Sequence, residues 1–527
     1  GPSVEAPVKT PDQLQLAIDK TGLKPWRAII VPHPDVQKGV YRRAEFAADL
    51  SQVARGIAST EYQDPKEFFA RTYITEGIKG LLLQAAKRVT TGNGEPVIQL
   101  KTAFGGGKTH SLLALYHMMK NSTKAESLPG VKEILDSEKV GALPRTRVVT
   151  LVGTYIETSK ARRPVSLPGV QVYTLWGEMA AQLAEQCNNP KLYEMVREAD
   201  KRGVSPGSKV LTDLMDAAGP CLVLMDEIVA YARKIMGKEN LPCGSYGSVI
   251  SFMQELTEAV KASKRSIVVA SIPESEMEAG GDDGWRALQE ISKVFARMEY
   301  IWKPVGPEEG FSIVRRRLFM PVSDEVAVEE TCRAFSRMYN ESSGDFPIES
   351  KELQYQVRMK DCYPIHPEVF DRLYNDWTTL EKFQKTRGVL RFMASVVYNL
   401  WSDNDLSVLI MPGSIPLHKT QTKEEITDYL SSGWDAIVDT DIDGERSQAR
   451  VIDKGNSSFG QYMAARRCAR AIFLGSAPSS KGQRNRGIED SRIRLGVVQP
   501  GEQVSVYNDV LGKLTAKLTY LYSTGAR

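Results

Sequence analysis

The chain has 527 residues, of which 42% are hydrophobic and 25% charged, with a formal net charge of +3. That length exceeds a single core and predicts roughly two to four domains, while the balance is that of an ordinary globular protein and excludes disordered or collagen-like classes. No run of eighteen apolar residues is present, which excludes a membrane-spanning helix of the usual kind, and the six cysteines and five histidines lack metal-ligand spacing. The N-terminus has no signal-peptide pattern, so a cytoplasmic location is expected, and Gly1-Pro2-Ser3 reads as the scar of a cleaved tag.

In chain order, residues 1–94 are expected to form an N-terminal helical and extended segment packing on the domain that follows. It holds a weak helix at 12–21, a proline-punctuated stretch at 29–34, and helical patterns at 41–58 and 65–89. Phe68, Phe69 and Tyr73 read either as core or as a surface for a purine base; aromatics at that spacing are more often core.

Residues 95–304 carry the strongest signal. The apolar strand Val97-Ile98-Gln99-Leu100 feeds a glycine-rich turn, Thr102-Ala103-Phe104-Gly105-Gly106-Gly107-Lys108-Thr109-His110, which opens an amphipathic helix. Such a turn cradles a phosphate chain, because its N–H groups and the positive end of the helix face an anion. The expected nucleotide-binding residues are Phe104, Gly105, Gly106, Gly107, Lys108, Thr109 and His110, with Lys108 on the β and γ phosphates and the Thr109 hydroxyl on magnesium. Thr102 stands where such loops usually have a glycine, and the three consecutive glycines supply the freedom at positive φ instead.

Further on, Cys221-Leu222-Val223-Leu224-Met225 reads as a strand buried on both faces and ends in Asp226-Glu227. Asp226 is the expected magnesium ligand and Glu227 the base that orients and deprotonates an attacking water. Alone, an acidic pair ending a strand is an ordinary turn; beside the glycine loop it argues for water as the acceptor, hence hydrolysis. A third strand, residues 266–270, ends in Ser271, placed either to sense the γ-phosphate or merely to close the strand before Pro273. With strands at 146–152 and 298–301, about five parallel strands with helices on both sides are expected.

Residues 305–402 read as all helical, a lid that closes on the nucleotide. Hydrolytic sites commonly add a cation at the phosphoryl oxygens, and three arginines compete: Arg391 in the last lid helix, its neighbour Arg387, and Arg297, placed where a neighbouring subunit's site would receive it. Each also reads as a surface ion-pair residue. His366, between Ile365 and Pro367, reads as structural. Residues 403–527 suggest a small α+β domain, for which a winged helix is one reading, with strand-like stretches near Ile472 and Ile493. Lys481, Arg484, Arg486, Arg492 and Arg494 form a basic stretch among serines and glycines. It is the candidate DNA contact, although no aromatic is interleaved for base stacking and a solvated loop is the default. A helical pattern at 508–522 lies close to the last residue, which predicts a longer natural chain.

Together these motifs resemble a family. Lys101 to His110, Leu222 to Glu227, Tyr363-Pro364-Ile365-His366-Pro367-Glu368, Thr386-Arg387-Gly388-Val389-Leu390-Arg391 and Phe46-Ala47-Ala48-Asp49-Leu50 are similar to the large prokaryotic ATPases of domain-of-unknown-function family 499. PglY of the phage growth limitation system and the BREX-associated ATPases are examples. The resemblance runs from about Val31 onward. It implies an AAA+-like fold related to the initiator branch, ATP and Mg2+ as cofactors, a lid with a sensor arginine, and methyltransferase, helicase or nuclease-type partners in phage defence. The expected activity is therefore ATP hydrolysis by a motor or switch that handles DNA, with a homo-oligomer left open. Two rivals stand beside it: a nucleotide-gated scaffold with little turnover, and a DNA-binding module with a regulatory ATP site.

Overall fold

A four-stranded parallel sheet organises the middle of the chain. The structure, a computed structural model, describes residues 21–39, 48–102, 108–273, 279–296, 307–342, 344–383, 386–479 and 487–517. It divides into two compact units, one made of Gly1–Phe46 with Gly306–Arg527 and the other of Ala47–Val305.

In the Ala47–Val305 unit, α1 (Glu76–Thr91) leads into β1 (Val97–Thr102), and α2 (Lys108–Lys120) follows. Next come β2 (Arg147–Val152), α3 (Leu175–Cys187), β3 (Cys221–Asp226), α4 (Ile228–Ile235), α5 (Tyr246–Ala262), β4 (Ile267–Pro273) and α6 (Asp282–Phe295). The strand order is β1-β4-β3-β2, so β4 stands between the strand of the glycine turn and the strand of the acidic pair. Register sets Leu100 opposite Ser271, and Val152 opposite Asp226. The expected fifth strand at 298–301 lies outside the described residues.

The continuous apolar runs are explained by burial on both faces. Ile98, Leu100, Leu222, Leu224, Ile267 and Val269 pack in the core with α1 and α2. Their alternate neighbours Val97, Val223, Met225, Val268, Ala270 and Ile272 pack in the core with α3, α5 and α6. The single helical pattern at 65–89 is interrupted in the structure: Pro65–Arg71 ends, and Thr75 starts α1 by accepting a hydrogen bond from the Ile78 N–H. Arg88 ties the far end of α1 to the turn before β4, donating to the carbonyls of Val260, Ser263 and Ser266 at 2.8 Å each.

The outer edge of β2 is closed by side chains. Gln182 of α3 accepts from Thr150 N at 2.8 Å and donates to Thr150 O at 2.8 Å. One turn on, Gln186 does the same with Val148, at 3.0 and 2.8 Å. The two amides take the place of a neighbouring strand, leaving no free ladder at these positions for another chain to join.

In the other unit one core runs from Leu23 to Leu514, crossing the boundary drawn at residue 402 from sequence. Residues 21–39 belong here and not with 48–94: buried Trp26 donates from Nε1 to Asp405 at 2.9 Å, and Pro32 bridges Phe319. The helices include α7 (Glu325–Glu341), α8 (Pro367–Asn375), α9 (Thr386–Ser402), α10 (Ala464–Ser476) and α11 (Asp490–Val497). The α+β expectation for 403–527 is corrected: Ile472 and Ile493 sit in α10 and α11, and the described residues of this unit pair as strand only in the single bridges Pro32–Phe319 and Ile365–Ile410. No β-hairpin that would make a winged helix is present among the described residues.

Buried polar groups fix this core. Asp443 is fully buried, with Arg470 donating at 2.9 and 3.0 Å, Arg466 at 2.9 Å and the His418 backbone N–H at 2.8 Å. Burial works against its charge, but the Arg470, His418 and Arg466 contacts prevail and hold its pKa below the usual carboxylate range. His366 starts α8: its Nδ1 accepts from the Glu368 N–H at 3.0 Å, which leaves the proton on Nε2 for the Tyr339 hydroxyl oxygen at 2.8 Å. Burial lowers its pKa to about 3, so the ring is neutral. The structural reading of His366 fits this geometry.

Candidate functional site

The carboxyl ends of β1, β3 and β4 converge on the start of α2. Thr109, second residue of that helix, donates from Oγ1 to Asp226 Oδ2 at 2.9 Å. Asp226 is the last residue of β3 and is nearly inaccessible. The Ser271 hydroxyl of β4 also hydrogen-bonds this carboxylate. Lys108 Nζ lies 3.5 Å from the Ile272 carbonyl, and its charge acts on Asp226. Burial is the largest influence on Asp226 and raises its pKa, against the Thr109 and Ser271 bonds and the Lys108 charge. Four expected site residues (Lys108, Thr109, Asp226 and Ser271) are thus brought together, although they span most of the unit's sequence.

Glu227 follows in a left-handed conformation, φ 53° and ψ 34°, which a glutamate rarely adopts. Its N–H turns back to Asp226 Oδ1 at 3.0 Å, and its exposed carboxylate accepts a hydrogen bond from the Thr154 hydroxyl. The turn is possible because Gly153, just past β2, has no side chain: a Cβ there would lie 2.1 Å from the Glu227 carbonyl oxygen. Gly153 also donates its N–H to the Asp226 carbonyl at 2.8 Å. Gly153 and Thr154 were missed in the sequence. The available signal was their place directly after an apolar strand, the same logic that singled out Asp226 and Glu227.

The remaining expected residues divide. His110 packs on Phe68 with the rings tilted by 31° and their centroids 4.7 Å apart, and its Nε2 is 3.0 Å from the Thr72 hydroxyl. That hydroxyl already donates to the Phe68 carbonyl at 2.6 Å, so His110 Nε2 is the donor. Phe68 and Phe69 are buried, which favours the core reading over a base-packing surface. Phe104, Gly105, Gly106, Gly107 and Arg297 lie outside the described residues, as do Lys481, Arg484 and Arg486.

Arg391 sits in α9 of the other unit, donates to the Tyr429 hydroxyl at 3.2 Å, and has no carboxylate partner among the described residues. The solvated-loop expectation for Arg492 and Arg494 is corrected. Both lie in α11, Arg492 bonded to Glu368 at 2.7 Å and to Glu349, Arg494 to the Asp345 carbonyl at 2.6 Å. Their cations are spent within the fold.

A carboxylate and a hydroxyl meeting at a helix start suit Mg2+, which takes one or two protein oxygens and completes its shell with water and phosphate. Among the described residues no group of three or more His, Cys, Asp or Glu forms a metal cage of its own. The donor set therefore fits a metal that arrives with a phosphorylated ligand.

The fold is a parallel α/β domain joined in sequence to a helical unit. Residues 32–302 match the family model described as the DUF499 N-terminal domain, and residues 306–505 match the DUF499 second domain. The chain belongs to the DUF499 family. No curated protein matches it. Among solved structures it is similar to the Aeropyrum pernix ORC1 protein in complex with DNA, at 13% identity over 84% of this chain and 92% of that one. The TM-score of 0.26 is too low for that likeness to carry an argument.

Proposed function

We propose that the Ala47–Val305 unit binds ATP with Mg2+ and hydrolyses it. The observation that carries this reading is the 2.9 Å bond from Thr109 to Asp226, which joins the helix start expected to hold phosphate to the strand tip expected to hold metal. Gly105, Gly106, Gly107 and Lys108 hold the phosphates, with Phe104 and His110 flanking the turn, and Thr109 and Asp226 hold the metal. When bound, Mg2+ neutralises charge on the phosphate oxygens. Glu227 accepts the proton of the attacking water, and Ser271 keeps the Asp226 carboxylate oriented. Arg391 is the lid's candidate γ-phosphate sensor, with Arg297 the candidate contribution to a neighbouring copy. In this proposal the protein is an AAA+-type motor or switch of a prokaryotic anti-phage system, working in the cytoplasm with DNA and methyltransferase, helicase or nuclease-type partners.

Phosphate release measured with and without DNA tests the activity. Turnover that disappears in Glu227→Gln while ATP still binds is the expected result; undiminished release in that variant removes Glu227 from the chemistry. One observation favours a second reading, a nucleotide-gated scaffold with little turnover. The Glu227 carboxylate accepts a hydrogen bond from the Thr154 hydroxyl on Oε2, a contact that competes with the attacking water for the base. If that contact restrains turnover, Thr154→Ala hydrolyses ATP faster than the wild type.

A further inference from the structure

At the opposite end of the sheet unit stands a group of cations that no acid pairs with among the described residues. Lys120 ends α2, and Arg145 and Arg147 flank Thr146 at the entry to β2. None of the three forms an ion pair among the described residues. Lys120 Nζ lies 6.0 Å from the centre of the Tyr116 ring, Arg147 donates to Cys187 Sγ at 3.1 Å, and Arg145 is exposed. Partial burial, then the charges of Arg147 and Arg145, lower the Lys120 pKa, with no carboxylate opposing them. The segment beyond Lys120 reads Asn121-Ser122-Thr123-Lys124, again with donors, and its first acid is Glu126. A lysine at a helix C-terminus is favoured by the helix dipole, which accounts for Lys120 but not for two arginines gathered beside it. Like charges held together repel, and an anion from outside the chain relieves the repulsion.

We infer that Lys120, Lys124, Arg145 and Arg147 form a docking site for the backbone phosphates of a nucleic-acid duplex, read without regard to sequence. Lysine and arginine heads among hydroxyl and amide donors are the chemistry of backbone contact. Tyr116 beneath them is buried, so no ring is offered for stacking on unpaired bases. Residues 120–124 and 145–147 include no apolar side chain that would suit a membrane or a peptide. The 13 residues of α2, rising about 1.5 Å from each to the next, set Lys120 about 18 Å from Lys108. Duplex and ATP then occupy opposite ends of one helix, and this inference does not depend on the ATP reading.

The test is fluorescence anisotropy of a short labelled duplex of arbitrary sequence with the full chain, over a range of salt. Lys120→Glu/Arg145→Glu is expected to weaken binding about tenfold or more and to flatten the slope of log K against log salt by about two. Lys108→Ala binds the duplex as the wild type does. Lys120→Ala/Arg145→Ala, with an unchanged melting temperature, gives a smaller loss in the same direction and separates lost contact from lost fold. The inference is overturned if the wild type binds no duplex, or if binding survives both double variants. It is equally overturned if all affinity lies with Lys481, Arg484 and Arg486, or if the patch takes anionic vesicles or a phosphopeptide in place of the duplex.

Discussion

Asp226 shows how a single carboxylate is prepared for a metal. Its strand buries it, Thr109 and Ser271 orient it, and the main cost of its charge is the loss of water. A divalent cation would reverse the local balance and favour the ionised form. Lys108→Ala is therefore expected to abolish ATP binding, with the fold kept, as read by calorimetry and circular dichroism. Gly153 makes a sharper case, since it is not among the residues proposed to hold phosphate. Gly153→Ala sets a Cβ against the Glu227 carbonyl and should cut turnover about a hundredfold, the scale of a lost general base, while ATP still binds. Retained turnover in that variant would show that the strained Glu227 backbone is incidental.

These residues also show what the sequence could and could not tell. Asp226 and Ser271 were legible because each lies at the end of an apolar run, where a parallel sheet presents ligands, and Lys108 and Thr109 because they join a glycine turn after such a run to a helix. Thr154 was not, since an exposed threonine gains meaning only from Glu227, 73 residues away. Arg492 and Arg494 were misjudged for the same reason: among serines and glycines they look solvated, yet Glu368 and Glu349 lie 124 and 143 residues from Arg492.

At the scale of elements, strands buried on both faces could be read from their lengths, whereas Ile472 and Ile493 lie in short apolar runs that fit strand and buried helix equally well. Burial of Ile493 in the common core, and packing of Ile472 against it, decide for helix there. The closure of β2 by Gln182 and Gln186 was invisible, because glutamine on a helix has no periodic signature. Truncating either to alanine should cost about 1–3 kcal/mol through the unpaired backbone groups left behind. Thermal melts read the loss, and light scattering should reveal self-association through the freed edge. Unchanged melts would contradict the edge role.

Asp443 links helices in the other unit. Its pKa is lowered on folding, so its contribution is complete at neutral pH. The contribution shrinks once pH falls below the unfolded carboxyl's value of about 3.9, and is gone below the folded value. Asp443→Asn leaves Arg466 and Arg470 without their anion, at about 3–5 kcal/mol for a broken buried pair. The variant should also lose that part of the acid dependence in urea melts taken from pH 7 downward. A variant as stable as the wild type would contradict the assignment.

For the whole molecule, two units with separate cores predict two calorimetric transitions. ATP with Mg2+ should raise that of the Ala47–Val305 unit, by about 2.7 kcal/mol at a hundredfold excess over Kd. The most direct measurement is isothermal titration of the wild type and Lys108→Ala with ATP and Mg2+. One site filled in the wild type and none in the variant is the predicted result; a wild type that takes up no ATP, or a variant that takes it up equally well, contradicts the account.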